Sequence, residues 1–450
     1  MIYEQPQKSV YIKTMGCQMN EHDTEVILGI LTSLGYHEVG SVEEADLILY
    51  NTCSVRENPE RKVYGHITSF RALKEKNPSL VIGICGCMTQ QKLELENILQ
   101  KLPHVDLIFG THNIHRLPEL LDRAASGERI VEVWDQGEDI IEDLPVQRRD
   151  PLRAFVNVIY GCTNFCTYCI VPYTRGRERS RDAEAIVEEV RALALDGVRE
   201  ITLLGQNVNA YGKDLKNPTD FAELLHRLNA IPGLERIRFT TSHPRDMKDP
   251  LIEAMAALDK VCEHLHLPVQ SGSSEILRRM NRGYTREDYL ELVRRIKNVI
   301  PNVNLTTDII VGFPGETEED HQATLDLVED VGFSSSFTFL YSPREGTPAA
   351  KMADQIPEAT KKQRIYELIE LQNRISAATM AAEVGSIRDI LVESYDSVKK
   401  TLLGRTKNHY QVVVEGPEHL VGEIVEVRIT RSLTWTLRGE LLGNHSSAVC

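Results

Sequence analysis

The residues of this chain best suited to chemistry are its cysteines. Cys162, Cys166 and Cys169 share one short loop, GCTNFCTYC, directly after the apolar run FVNVIY. Nine cysteines scattered at random over 450 residues would give this spacing about 0.004 times per chain. Three adjacent thiolates are soft ligands for iron or zinc. Structural zinc nearly always takes four protein ligands. No fourth Cys or His lies nearby in the sequence, although Cys262 could fold in from a distance. A [4Fe–4S] cluster held by three cysteines leaves one iron open for a small molecule, and the spacing favours that reading.

Three more cysteines are spread too widely for spacing to speak, but their positions do. Cys17 (TMGCQMN), Cys53 (NTCSV) and Cys87 (GCM) each follow a strand-like run. Ligands of open parallel sheets bind beyond the carboxyl ends of the strands, so three such loops can converge. The alternative is three unrelated buried thiols. Cys85 lies inside its strand and reads as core, Cys262 as core filling and Cys450 as a free tail thiol.

The elements that must position these residues fall into three expected domains. Residues 1–140 alternate strand candidates (Val10 to Met15, Asp46 to Tyr50, Leu80 to Cys85, Asp106 to Phe109) with helical patterns, as in a parallel α/β sheet covered on both faces. An acidic, proline-bearing stretch from Gly137 to Pro151 reads as the linker. Residues 148–380 repeat the alternation six times, from Phe155 to Tyr341, which suits a partial (β/α)6 barrel. Reactive groups in such barrels gather at the C-terminal strand ends. Residues 381–445 turn to short β-rich runs, such as YQVVVEG and GEIVEVRITR, and predict a small antiparallel β-barrel.

Composition sets limits on this picture. The N-terminus lacks the basic start and apolar run of a signal peptide. No charge-free apolar stretch approaches the ~20 residues of a membrane helix. A cytoplasmic protein without membrane contact is expected, and in that reducing compartment nine cysteines favour metal binding over disulfides. The net charge of −15 means that any nucleic acid must be met by local basic patches.

The triplet, with an aromatic residue (Tyr168) before its last cysteine, resembles the signature of the radical S-adenosylmethionine superfamily. The resemblance implies that the open iron takes the amino and carboxylate groups of S-adenosylmethionine. One electron then cleaves the sulfonium to a 5′-deoxyadenosyl radical, and the protein holds the cofactor and excludes competing reactions. It places Tyr168 near the adenine and Gln206, in LLGQNVNAY, near the amino end of the cofactor. Ser242 and Gln270, at the active-site end of the barrel, are further candidates to hold cofactor or base.

Over nearly the whole chain, the strings GCQMNEHDT, NTCSVRE, GCMTQ, LLGQNVNAY, HLHLPVQSGS, TDIIVGFPGETEED and GRTKNHYQVVV resemble the radical methylthiotransferases. They are most similar to the branch acting on N6-isopentenyladenosine beside the tRNA anticodon. That family has an N-terminal cluster domain, a radical domain and a C-terminal TRAM RNA-binding domain. The resemblance implies two [4Fe–4S] clusters, one on Cys17, Cys53 and Cys87 and one on Cys162, Cys166 and Cys169. S-adenosylmethionine serves as both methyl donor and radical source. No protein acid or base is assigned. A low-potential electron donor such as flavodoxin or ferredoxin and a sulfur donor are implied partners.

The RNA partner would present a splayed base from a single-stranded loop. Arg175, Arg177, Arg179 and Arg181 after the triplet, with Arg405 and Lys407 in the C-terminal barrel, are the expected phosphate contacts. Competing readings are a sister enzyme acting on threonylcarbamoyladenosine or on a ribosomal-protein aspartate, and a non-catalytic iron–sulfur RNA-binding redox sensor.

Overall fold

The computed structural model describes residues 8–54, 57–135, 137, 140–216 and 219–442, so Cys450 lies outside the described residues. Six parallel strands form the first sheet: β1 (Lys8–Thr14), β2 (Tyr36–Glu38), β3 (Leu47–Thr52), β4 (Val81–Gly86), β5 (Leu107–Phe109) and β6 (Ile130–Glu132), in the order β2-β1-β3-β4-β5-β6. The central strands LILYNT and VIGICG are buried at every residue, as a sheet covered on both faces requires. One face packs on helix α1 (Gln18–Ser33) through Val26, Ile27, Ile30 and Leu31. The other packs on Val63, Ile67, Ile98 and Leu102. The sequence reading passes over β2 and β6, because these short edge strands are partly exposed and carry no fully apolar run such as the buried LIF of β5.

The middle of the chain opens with β7 (Arg153–Asn157) and a two-residue antiparallel pair, β8 (Ile159–Tyr160) with β9 (Arg179–Ser180). Five parallel strands follow: β10 (Glu200–Leu204), β11 (Arg236–Phe239), β12 (His264–His266), β13 (Asn304–Val311) and β14 (Ser335–Leu340). They form two sheets, β11-β10-β7 and β12-β13-β14, joined by a parallel bridge between Ile237 and Val261. The result is the expected six-unit open barrel. Val156, Ile201, Leu203, Ile237, Phe239 and Leu265 pack into the helix-side core. Polar residues such as Glu200, Arg238, His264 and Asp308 hold the alternate positions, so the strands are amphipathic with a polar lumen.

The helix Glu358–Ala382 leads into β15 (Ile387–Asp396), β16 (Thr401–Thr406), β17 (Gln411–Glu415), β18 (Ile424–Ser432) and β19 (Leu437–Leu441), a closed barrel ordered β15-β16-β17-β19-β18. One pairing departs from the antiparallel expectation: β17 and β19 run parallel. The chain leaves β17 through a short turn, crosses to pair β18 with β15, and hairpins back, so β19 closes the barrel in the direction of β17.

This small barrel docks on the N-terminal ends of β11 to β13, opposite the cysteine loops. Arg238 donates to the carbonyls of Thr406 (2.8 Å) and Lys407 (2.9 Å), and its charge meets Glu200 at 2.9 Å. Arg236 donates to the carbonyls of Arg405 and Asp389, and His264 stacks on His409 with centroids 4.6 Å apart. Among the described residues no helix is long and apolar enough to cross a membrane.

Candidate metal centres and the cleft between them

Cys17, Cys53 and Cys87 follow the C-terminal ends of β1, β3 and β4, and because these strands are neighbours in the sheet, their loops meet. A buried amide network fixes the meeting point. Asn20 donates to Asn51 Oδ1 (3.0 Å) and the Thr52 carbonyl (3.1 Å), and Asn51 donates back to the Asn20 carbonyl (2.8 Å). Cys17 is also the N-cap of α1, where the helix dipole favours a thiolate. Its pKa is pulled down to about 6, mainly by a hydrogen bond with Cys53 and further by the Arg175 charge, against the opposing effect of burial. Burial pushes the Cys87 thiol up.

The second triad sits in the loop between β8 and β9. Cys162 N–H donates to the Gly176 carbonyl at 3.0 Å, and Cys169 N–H to that of Cys166 at 2.9 Å. Burial raises Cys162 to about 11 and Cys169 to about 12, so these thiols hold their protons until a cation replaces them. Among the described residues no three His, Cys, Asp or Glu side chains converge as one metal ion would require. A multi-iron cluster binds each thiolate through a different iron, so its ligands stand further apart than those of a single ion. Two sets of three thiolates, with no carboxylate among them, fit iron–sulfur chemistry.

A glycine precedes the first cysteine of the second loop and the last of the first set. Gly161 has φ 75° and Gly86 φ 96°, and a Cβ at either would collide with a carbonyl oxygen, of Arg177 and of Thr52 respectively. The repeated Gly-Cys dipeptide was the available sequence signal for this constraint, and the sequence reading did not use it.

Residues expected to hold the small-molecule cofactor are placed unequally. Ser242 is buried beyond the end of β11, and its hydroxyl has no partner among the described residues, which leaves it available to a ligand. Tyr168 packs with Ile276, Met280, Phe313 and Tyr341 beside the cysteine loop, and its hydroxyl lies 3.5 Å from Arg282 Nη1. Gln206 is used by the protein itself: its Oε1 accepts the Gly161 N–H at 2.5 Å and its amide abuts Met19 of the first domain. Gln270 is buried in left-handed backbone at φ 76°.

Several of the arginines expected at an RNA surface are elsewhere. Arg175 is 5% exposed, pairs with Asp23 at 2.6 Å and donates to Cys87 Sγ at 3.2 Å, so it ties the segment after the second triad to the first domain and offers no phosphate contact. Arg181 is buried in ion pairs with Glu142 and Glu189. Arg405 pairs with Glu393 and His409, and Lys407 donates to the Asp259 carbonyl. Lys407 thereby fastens the small barrel to the large one, whereas the side-chain partners of Arg405 lie within the small barrel itself. Acidic neighbours and carbonyls, invisible in a linear charge run, have claimed these cations.

Arg177 alone of that group is exposed, and its guanidinium lies over the Phe165 ring at 6.0 Å. Phe165 stands between Cys162 and Cys166 with φ 46° and 37% exposure, edge-on to the exposed ring of Tyr173 at 6.0 Å. Left-handed backbone at an exposed Phe is uncommon and costs energy, and Asn281 Nδ2 holds it by donating to the Phe165 carbonyl at 3.1 Å. The pair lines a cleft of about 770 Å³. One wall carries Gln90 and Gln91, just after Cys87, and another carries Ile170, Tyr173 and Thr174, just after Cys169; Ser342 to Gly346 close the third side. Its lining is of mixed charge, with Lys92, Arg177, Arg179 and Arg344 set among Glu94, Asp135 and Glu345.

Three family models match successive parts of this chain. Residues 156–328 match the Radical SAM superfamily, residues 9–110 an uncharacterized protein family, UPF0004, and residues 381–442 the TRAM domain. The chain is 54% identical over 437 residues (97% of this chain, 93% of the relative) to the tRNA-2-methylthio-N(6)-dimethylallyladenosine synthase of Alkaliphilus oremlandii (strain OhILAs). It is 54% identical over 439 residues (97% and 86%) to the synthase of that name from Bacillus subtilis (strain 168). Among solved structures, the radical S-adenosylmethionine methyltransferase TsrM from Kitasatospora setae, with cobalamin and a [4Fe-4S] cluster bound, aligns at TM-score 0.56 and 16% identity over 76% of this chain and 77% of that one. At that identity the likeness is one of fold.

Proposed function

The chain belongs to the tRNA-2-methylthio-N(6)-dimethylallyladenosine synthase family, and from that premise we propose that it methylthiolates C2 of N6-isopentenyladenosine in tRNA. It is a radical S-adenosylmethionine enzyme using two [4Fe–4S] clusters, and we place it in the cytoplasm. The observation that carries the reading is the docking of the segment after the second cysteine triad onto the first, through Arg175 on Cys87 and Asp23. The relatives' shared name favours the isopentenyladenosine branch over the sister substrates and over a non-catalytic sensor.

Cys17, Cys53 and Cys87 would hold one cluster, and Cys162, Cys166 and Cys169 the other. When bound, the clusters and S-adenosylmethionine supply the sulfur, the methyl group and the hydrogen-abstracting radical needed at an unactivated aromatic C–H. The protein's part is positional. Gln206 holds the start of the second loop through the Gly161 N–H, Tyr168 walls the loop, and Ser242 offers a hydroxyl without a partner to the cofactor. The cleft beside both loops receives the RNA. Phe165 and Tyr173 offer faces on which unpaired bases stack, and Arg177 meets the backbone. A low-potential electron donor, such as flavodoxin or ferredoxin, and a sulfur donor complete turnover.

Anaerobic reconstitution with iron, sulfide, reductant, S-adenosylmethionine and isopentenylated tRNA tests this. Nucleoside mass spectrometry is expected to find the methylthio gain together with 5′-deoxyadenosine. Cys166→Ala should abolish both products, whereas Cys53→Ala should lose methylthiolation and keep part of the 5′-deoxyadenosine. Full activity in Cys166→Ala would refute the reading.

A further inference from the structure

Each cysteine triad has one buried arginine at hydrogen-bond distance from one of its sulfurs, and the two arginines are compensated differently. Arg175 donates to Cys87 Sγ at 3.2 Å, and the Asp23 carboxylate at 2.6 Å offsets its charge. Arg282 donates to Cys166 Sγ at 3.4 Å, and its other partners are all neutral: the Tyr168 hydroxyl (3.5 Å), the Tyr284 hydroxyl (2.9 Å) and the Pro268 carbonyl (2.7 Å). Among the described residues no carboxylate pairs with Arg282, although it is only 4% exposed.

A guanidinium does not shed its proton in a protein, and a buried charge without a counter-charge is strongly penalised. The surroundings of Arg282 therefore lack an anion. The sulfurs of the neighbouring loop are the groups placed to provide it once they are deprotonated. We infer that Arg282 is the built-in counter-charge of the centre on Cys162, Cys166 and Cys169, a positioning residue acting through Cys166, and that Asp23 withholds the same compensation from the centre on Cys17, Cys53 and Cys87. The inference rests on the two-cluster reading above.

The electrostatics follow directly. Three thiolates outweigh the charge of an oxidised cluster core, and one added electron makes the centre more negative still. A fixed buried cation stabilises that reduced state more than the oxidised one, because net charge and hydrogen bonds to sulfur set the potential. Electrons thus enter more readily at the centre with the uncancelled arginine, which is the one that must act on the sulfonium.

The test is a dithionite titration of the reconstituted full-length protein, followed by electron paramagnetic resonance. Each centre is read alone, in a background where the other three cysteines are alanine. Arg282→Gln should lower the reduced-to-oxidised ratio of its centre at fixed potential by about tenfold, equivalent to about 59 mV for one electron. Arg282→Lys should restore most of that loss. Asp23→Asn should raise the ratio at the other centre and leave this one unmoved. An unshifted midpoint in Arg282→Gln with full iron content overturns the inference. Should that variant fail to fold, an unmoved N-terminal centre in Asp23→Asn overturns it instead. Wild-type protein that takes up no cluster would refute the proposed function, a distinguishable failure.

Discussion

Single residues in this protein are committed by what surrounds them more than by their type. Phe165 illustrates the point: it stands within the cysteine loop in left-handed backbone, yet its exposed ring faces a cleft and lies under Arg177. Stacking of a base on such a ring contributes about 1–3 kcal/mol, so Phe165→Ala should raise the KM for tRNA roughly tenfold or more. The tRNA-independent cleavage of S-adenosylmethionine should change little, and steady-state kinetics with and without RNA check both. Gly161→Ala should lower the iron content of the second centre, because its Cβ would collide with the Arg177 carbonyl; iron analysis of a background lacking the first triad measures it. The six proposed ligands were legible in the sequence, three from tight spacing and three from their place after strands. The fates of Arg175, Arg181, Arg405 and Lys407 were not. Each depends on a partner remote in sequence (Asp23, Glu142, Glu393 or the Asp259 carbonyl), and no local pattern announces such a pairing.

At the scale of elements, periodicity carried the reading well where strands are long and buried. It lapsed at the three-residue edges β2 and β6 and at the parallel β17–β19 closure, which depends on how hairpins cross in space. It could not foresee how the two barrels join. The joint is a polar surface centred on Arg238 and Glu200, each 4% exposed as a side chain. Glu200→Gln strands a buried guanidinium and should cost roughly 3–5 kcal/mol, read as a lower denaturant midpoint. The stacked His264 and His409 add a dependence on acidity. Burial first, and neighbouring arginines second for His264, hold both below the ordinary imidazole value, so the docked state keeps them neutral. Below pH about 6.5 the released histidines bind protons that the docked ones refuse, so docking weakens as pH falls, by up to ~1.4 kcal/mol per unit for each group. His264→Phe retains a ring for stacking and removes one titration. Its stability should therefore decline less than that of the wild type between pH 7 and 5 in urea titrations.

On the scale of the whole molecule, the C-terminal barrel is part of the radical domain's base and not an arm hung from it. Deleting residues 383–450 would expose Arg236, Arg238, His264 and Asn304, all of which contact it. The shortened chain should melt well below the full one, and calorimetry of the intact protein should record the two barrels unfolding in one transition. The connection out of the first domain is equally bound in. Gln147 N–H donates to the Glu25 carbonyl at 2.9 Å, Arg149 N–H reaches the Glu25 carboxylate at 3.3 Å, and the Pro145 backbone packs so tightly on Gly29 that any side chain there would collide. A strap laid along α1 cannot serve as a hinge. On the two-cluster reading proposed above, the base would come within reach of both cysteine sets with the two domains held in place. Spin labels placed on the two domains should report one narrow separation, unchanged when RNA is added.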